Sequence, residues 1–249
     1  MTLFNRSAIL AMIAAPVTLA LAGCGSADEA AVTNGEPVAA IPAPDGTQWV
    51  DTVTVTEADG YTLGNPDAPI TLIEYASLTC PACAMFSAEA VEPLKNDYIA
   101  SGRVKYELRN QIHGPHDLAL ATLVRCGDDA TFHPLSEQVW ANLNAILDPI
   151  IQNGQAVQQA VSLPAEQRLV RIAEIGGFFD FFAARGLSAD QARSCLADEA
   201  VYSAIAERSN TQSRELDVSG TPTFFINNTK ADANDWASVE QLLKDAGAR

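Results

Sequence analysis

The sequence predicts an α/β fold in which a sheet-and-helix unit is split by a large all-helical insertion. Three observations carry that expectation. A strand, a helix and a strand follow one another between 70 and 108. Helical patterning alone runs from 113 to 210, and a β-branched and aromatic run with a last helix closes the chain. The first three elements make a βαβ unit, whose long crossover implies a parallel strand pair.

The N-terminus stands apart from that domain. Arg6 supplies a positive n-region, and 8–22 is an apolar stretch of 15 residues interrupted by Pro16 and Thr18. A bilayer span needs about 20 apolar residues, so the stretch fits a signal-peptide h-region. It ends in Leu21-Ala22-Gly23-Cys24, which resembles the lipobox of bacterial lipoproteins. That resemblance implies a lipoprotein signal peptide over 1–23, cleavage before Cys24 and lipidation of its sulfur. An ordinary secretory signal is the alternative. Gly25 is not the aspartate associated with inner-membrane retention, which favours the outer membrane. The expected location is therefore the periplasmic face of a bacterial membrane. Residues 24–48 are rich in small, acidic and proline residues and predict a disordered tether, leaving 49–249 as the folded domain.

Within the domain, alternation over 49–56 suggests a short first strand, and Gly64-Asn65-Pro66-Asp67-Ala68-Pro69 is a turn cluster. The run 70–76 is the first strong strand. A helix begins after Cys80 and carries an interior Pro93, which predicts a kink near Val91. Ser101-Gly102 ends it, and 104–108 is the next strand. The insertion 113–210 holds the aromatic group Phe178, Phe179, Phe181 and Phe182, expected as packing between helices. In the last helix Trp236, Val239, Leu242 and Leu243 keep helical spacing, so one face can lie on a sheet.

Cys80-Pro81-Ala82-Cys83 is where chemistry is expected. Two cysteines three apart at a strand-to-helix turn suit redox work. The first sulfur lies at the helix N-terminus, where unpaired N–H groups and the helix dipole favour a thiolate. Pro81 suits the first helical position, since its missing N–H would have had no partner there. Far downstream, Gly220-Thr221-Pro222-Thr223 opens the aromatic run, and a proline there must sit at a strand start or an edge.

These two segments and their order resemble the thioredoxin fold, with 220–226 in the place of its cis-proline loop. The split unit with its helical insert, and Gly-Asn-Pro-Asp-Ala-Pro before the first strong strand, resemble the DsbA-type thiol-disulfide oxidoreductases. The resemblance covers about residues 60–245 and is specific at 64–86 and 218–227. It implies Cys80 as nucleophile, Cys83 as resolving thiol, and Thr221 and Pro222 presenting backbone to a substrate. It also implies that Glu74, six residues before Cys80, exchanges protons with the buried cysteine. By alternation Glu74 shares a strand face with Ile70, Leu72 and Ala76, where a carboxylate is costly without a partner. A carboxylate that reaches solvent or a lysine is the plainer alternative. Pro81 and Ala82 stand where strong oxidants of the family carry Pro-His, so a milder oxidant is expected.

Five cysteines is an odd count in an exported protein. With Cys24 lipidated and Cys80–Cys83 as the redox pair, Cys126 and Cys195 remain, and an oxidising compartment would allow them to pair. Two separately buried thiols is the alternative. His113 and His116 allow a Cys2His2 zinc site to be imagined, but the Gly-Pro between them breaks a helix; surface or capping roles are expected for all three histidines. No metal and no organic cofactor is expected, because the two sulfurs hold the electrons.

At 48% hydrophobic and 18% charged residues, the chain can bury a substantial core. Without the signal, 14 basic and 31 acidic residues leave a net charge of −17, which argues against nucleic acid as a partner. The expected function is a lipid-anchored thiol-disulfide oxidoreductase that donates the Cys80–Cys83 disulfide to proteins with reduced cysteines. A membrane redox partner would reset it. A monomer is expected, since 25–60 is too short and polar for a dimerisation domain. A disulfide isomerase or reductase of the same fold, or a CxxC metal-binding chaperone, are the alternatives.

Overall fold

The computed structural model describes residues 35–249. The signal segment and Cys24 lie outside the described residues. Strands β1 (Val53–Val55), β2 (Tyr61–Leu63) and β3 (Ile70–Ala76) lead into helix α1 (Pro81–Pro93), and β4 (Val104–Asn110) follows. The insertion is a run of helices: α2 (Pro115–Val124), α3 (Phe132–Ala141), α4 (Leu143–Gln152), α5 (Gly154–Ala160) and α6 (Ala165–Gly176). It continues with α7 (Phe178–Ala183), α8 (Ala189–Ala197) and α9 (Glu199–Glu215). Strands β5 (Thr223–Ile226) and β6 (Thr229–Lys230) and helix α10 (Trp236–Asp245) complete the domain.

The sheet order is β1-β2-β4-β3-β5-β6. β3 lies at its centre, parallel to β4 with Ile70 opposite Val104, and antiparallel to β5 with Glu74 opposite Phe224. This is the thioredoxin fold with an all-helical insertion. Its central pairing brings residues about 150 apart in sequence side by side, so the site cannot form until both halves of the split unit meet.

Alternation along β3 sends Ile70, Leu72 and Ala76 into the main core, while Ile73 and Tyr75 join Val218 and Phe225 on the other face. Phe178, Phe179 and Phe182 are buried and Phe181 is partly buried against the same core, so the aromatic group packs between helices as its spacing suggests. Gly177 joins α6 to α7 at φ 69°, a left-handed conformation that glycine adopts at little cost.

Three expectations need correction. Residues 35–48 are not a free tether: Gly35 N–H donates to the Asp245 carbonyl, Val38 N–H to Gly247 and Ile41 N–H to Ser101, while Val38 packs on the core. Sparse bulky residues concealed this, because most of these contacts are made by backbone. The first strand is only Val53–Val55, since Trp49–Asp51 is a 3-10 turn whose Trp49 indole donates to the Ile41 carbonyl. After Pro93 the helix widens to a π-helix over Leu94–Ile99; a π turn is one way a helix absorbs an interruption in its bonding ladder.

Candidate active site

Cys80 is the N-cap of α1, at φ −88° and ψ 120°, with Pro81 as the first helical residue. The loop that delivers it from β3 is held by the insertion. Asp117 of α2, 1% exposed, accepts hydrogen bonds from the Ser77 hydroxyl (2.8 Å), Leu78 N–H (3.0 Å) and His113 N–H (2.8 Å). The Trp140 indole of α3 donates to the Ser77 carbonyl at 3.0 Å. Burial raises the Asp117 pKa to about 6, against the pull of those donors. Asp117 and Trp140 thus fix the height and direction of the reactive turn, and nothing in their sequence spacing announces it.

The two sulfurs differ in access. Cys80 is half-buried, Cys83 one turn along is fully buried, and both carry free thiols. The Cys80 pKa is lowered to about 5. The largest cause is the hydrogen bond from the Cys83 thiol; burial opposes it; Thr221 and the backbone N–H groups of Cys83 and Ala82 add to it. The helix start therefore contributes, as its position implies, but less than the neighbouring thiol. The Cys83 pKa is driven far upward, by the Cys80 hydrogen bond first, then by burial and by the negative charge of Glu74. One sulfur is thus a stable anion at neutral pH and the other holds its proton.

Across from the pair lies Thr221, joined to Pro222 by a cis peptide bond at the start of β5. The Cys80 thiol donates to the Thr221 carbonyl at 3.2 Å. A carbonyl cannot stabilise a thiolate, so the lowering that Thr221 exerts comes from its hydroxyl. That hydroxyl is buried and has no hydrogen-bond partner among the described residues, which leaves it free to turn toward the thiolate.

Beneath the pair, Glu74 is 1% exposed. Its Oε2 accepts from the Tyr106 hydroxyl of β4 at 2.5 Å, and its Oε1 has no partner among the described residues. Burial raises its pKa to about 8, Tyr106 lowers it, and a Cys80 thiolate raises it again. The carboxyl reaches neither solvent nor a lysine. It is poised to hold or release a proton near neutral pH.

The thioredoxin family model matches residues 56–245. The chain belongs to the thioredoxin family. Within the family the chain is similar to a protein-disulfide isomerase of known structure from Novosphingobium aromaticivorans. The two are 31% identical with a TM-score of 0.70, over 74% of this chain and 96% of that one. It shares its fold with Wolbachia pipientis alpha-DsbA1, at 23% identity and a TM-score of 0.60 over 78% and 94% of the two chains. The fold is of the DsbA type. Among curated sequences the chain is similar to a Rickettsia bellii protein, named by inference a protein-disulfide oxidoreductase. They are 26% identical over 184 residues, 74% of this chain and 63% of the relative. The first curated relatives are matched over 52 to 63% of their own length.

In this family member the structure gathers Cys80, Cys83, Glu74, Thr221 and Pro222 at one end of the central strands, with Pro81 and Ala82 between the sulfurs. Cys126 and Cys195 lie in the insertion. They are joined as a disulfide between the end of α2 and α8, with Cα atoms 6.0 Å apart. The histidines divide. His116 is half-buried, its pKa lowered by that burial, and the His113 backbone braces Asp117. His133 corrects the expectation of a surface or capping role, being 2% exposed and packed 5.5 Å from the Tyr106 ring. Tyr106 and His133 were hidden in the sequence because a tyrosine in a strand and a histidine in a helix are unremarkable until their partners are known.

Proposed function

We propose that the chain is an exported thiol-disulfide oxidoreductase that passes a Cys80–Cys83 disulfide to the thiols of substrate proteins. The observation that carries this reading is the split between the two sulfurs, one lowered to about 5 and half-exposed, the other buried and protonated. In the oxidised form a substrate thiolate attacks Cys80. The Cys80–Cys83 bond breaks, and Cys83 leaves with the electron pair and takes the proton of Glu74. A second substrate thiolate then attacks the substrate sulfur of the mixed disulfide. The substrate leaves oxidised, and Cys80 departs as the stabilised thiolate. A stabilised leaving thiolate favours the dithiol product, which is what makes a disulfide oxidising. In the reverse step a partner's disulfide, proposed to be a membrane protein's, takes the electrons back. The cycle needs no metal or organic cofactor, because each step exchanges one sulfur–sulfur bond for another.

An open groove lined by Pro81, Ala84, Met85, Trp140 and Leu143 runs beside the reactive turn, with Met85 64% exposed. Methionine adapts to varied apolar surfaces, which suits unfolded clients of no single sequence. Lipid attachment at Cys24 would hold the domain at a membrane, with the outer membrane favoured.

Cys83→Ser tests the reading. It is expected to accumulate mixed disulfides with client proteins on Cys80, visible as reductant-sensitive adducts, while Cys80→Ser forms none and loses thiol oxidation. Full oxidation activity in Cys80→Ser would overturn it. The isomerase alternative draws on the name of the Novosphingobium relative, and rescue of scrambled but not of reduced clients would favour it.

A further inference from the structure

Two buried polar atoms without partners among the described residues, Glu74 Oε1 and His133 Nε2, line one cavity between β3, β4, α1 and α3. Its other walls include Tyr106, Phe86, Glu137 and Trp140. The space open to a water centre there is about 20 Å³, enough for a single water, which needs roughly 10–15 Å³ and two or more polar partners. We propose that this cavity binds one water that bridges Glu74 Oε1 to His133 Nε2, making His133 a positioning residue for the acid that serves Cys83. The proposal rests on the oxidoreductase reading for its function and on the cavity alone for its geometry.

The donor pattern closes. The Tyr61 backbone accepts from the imidazole, so the neutral ring keeps its hydrogen on that side and presents a lone pair at Nε2. Desolvation holds the ring neutral, with its pKa lowered to about 3. The water must then give one hydrogen to Nε2. Its other hydrogen serves the Glu74 carboxylate, and its lone pairs serve the protonated acid, so the same water fits both states. Phe132 stacks on Tyr61 at 3.8 Å and meets the His133 ring edge-on at 5.3 Å. Other ionisable groups around the cavity are Tyr106 on β4, Cys83 on α1, Glu137 on α3 and Lys95 on the π-helix. Lys95 pairs with Glu137 at 2.7 Å, and both are about a quarter exposed. None of these offers a donor to Glu74 Oε1 in the structure.

A hydrogen bond to a charged group favours the charged form, so loss of the water's donation to the carboxylate raises the Glu74 pKa by about one unit or more. The experiment follows the re-oxidation of the reduced protein by glutathione disulfide against pH. Cys80 attacks one glutathione sulfur and releases the other as thiolate. Cys83 then gives its proton to Glu74, attacks the Cys80 sulfur and expels the second glutathione thiolate. In His133→Phe the midpoint of the Cys83 step is expected to rise by about one pH unit. His133→Gln, whose amide oxygen also accepts, is expected to restore it, and in a Glu74→Gln background His133→Phe is expected to move nothing. A His133→Phe profile that coincides with the wild type, or a shift that persists in the Glu74→Gln background, overturns the proposal. A crystal structure at water-resolving resolution is the independent arm. Density within hydrogen-bond distance of both atoms supports the proposal, and its absence overturns it even if the protein oxidises thiols. If the wild type shows no Cys80-dependent reaction with glutathione disulfide, the oxidoreductase reading fails by itself.

Discussion

Cys80 and Thr221 stand 141 residues apart in the chain and 3.2 Å apart in space, thiol to carbonyl. The contact lets a single residue serve two states of the sulfur. Its carbonyl accepts from the thiol, its hydroxyl supports the thiolate, and its backbone borders the path by which an extended client would approach.

The redox potential is the first expected outcome. A Cys80 pKa of about 5 lies between the ~3.5 of the strongest oxidants and the ~7 of thioredoxin. The potential should likewise fall between ~−120 and ~−270 mV. Ala82→His should lower the pKa and move the potential toward the oxidising end. Equilibration against glutathione buffers checks both; a wild-type value at or above ~−120 mV would refute the role given to the missing histidine. Thiolate absorbance should titrate near pH 5 and vanish in Cys80→Ser.

Glu74 should make stability depend on pH. Its folded pKa of about 8 lies above the unfolded 4.5, so the folded state binds more protons between those values. The contribution is fully present below 4.5 and is lost as pH rises through 8. Its full size is on the order of 5 kcal/mol. Cys80 has the opposite sign in the reduced protein: lowered from 9 to about 5, it adds stability that is lost as pH falls through 5. The oxidised protein isolates the carboxyl. Denaturant unfolding of oxidised wild type and Glu74→Gln over pH 5–8.5 should show a falling line and a flatter one; parallel lines would exclude an elevated Glu74.

The Cys126–Cys195 disulfide closes a loop across a sequence separation of 69. Chain entropy allows about 4 kcal/mol for a loop of that size, with measured values often lower. Non-reducing peptide mapping should find the two joined, and the double serine variant should unfold at lower denaturant with Cys80 reactivity retained. Two free thiols in the purified protein would rule it out.

On the proposal that Cys24 carries the lipid anchor, Cys24→Ala should free the protein from membranes. A variant that still sediments with membranes after a salt wash would count against lipidation.

Much of the site was legible in the residues before any coordinates. Cys80, Pro81 and Cys83 announce themselves by spacing at a strand-to-helix turn, since helix geometry is local and puts the two sulfurs one turn apart. The alternation of β3 likewise turns Glu74 inward with Ile70, Leu72 and Ala76, and Pro222 marks the head of a strand. What the tertiary structure decided is everything that depends on long-range contact. Asp117 and Trp140 reach the Ser77 loop from the insertion, and Tyr106 meets Glu74 across a parallel strand pair. His133 is buried beside the Tyr106 ring, and 35–48 is laid along the domain by its backbone. Periodicity reports which face of an element is apolar; it carries no record of which polar atom on a distant element will be desolvated beside it. That is a property of packing, and packing raised Glu74, while the thiolate of Cys80 owes most to the Cys83 thiol one turn along its own helix.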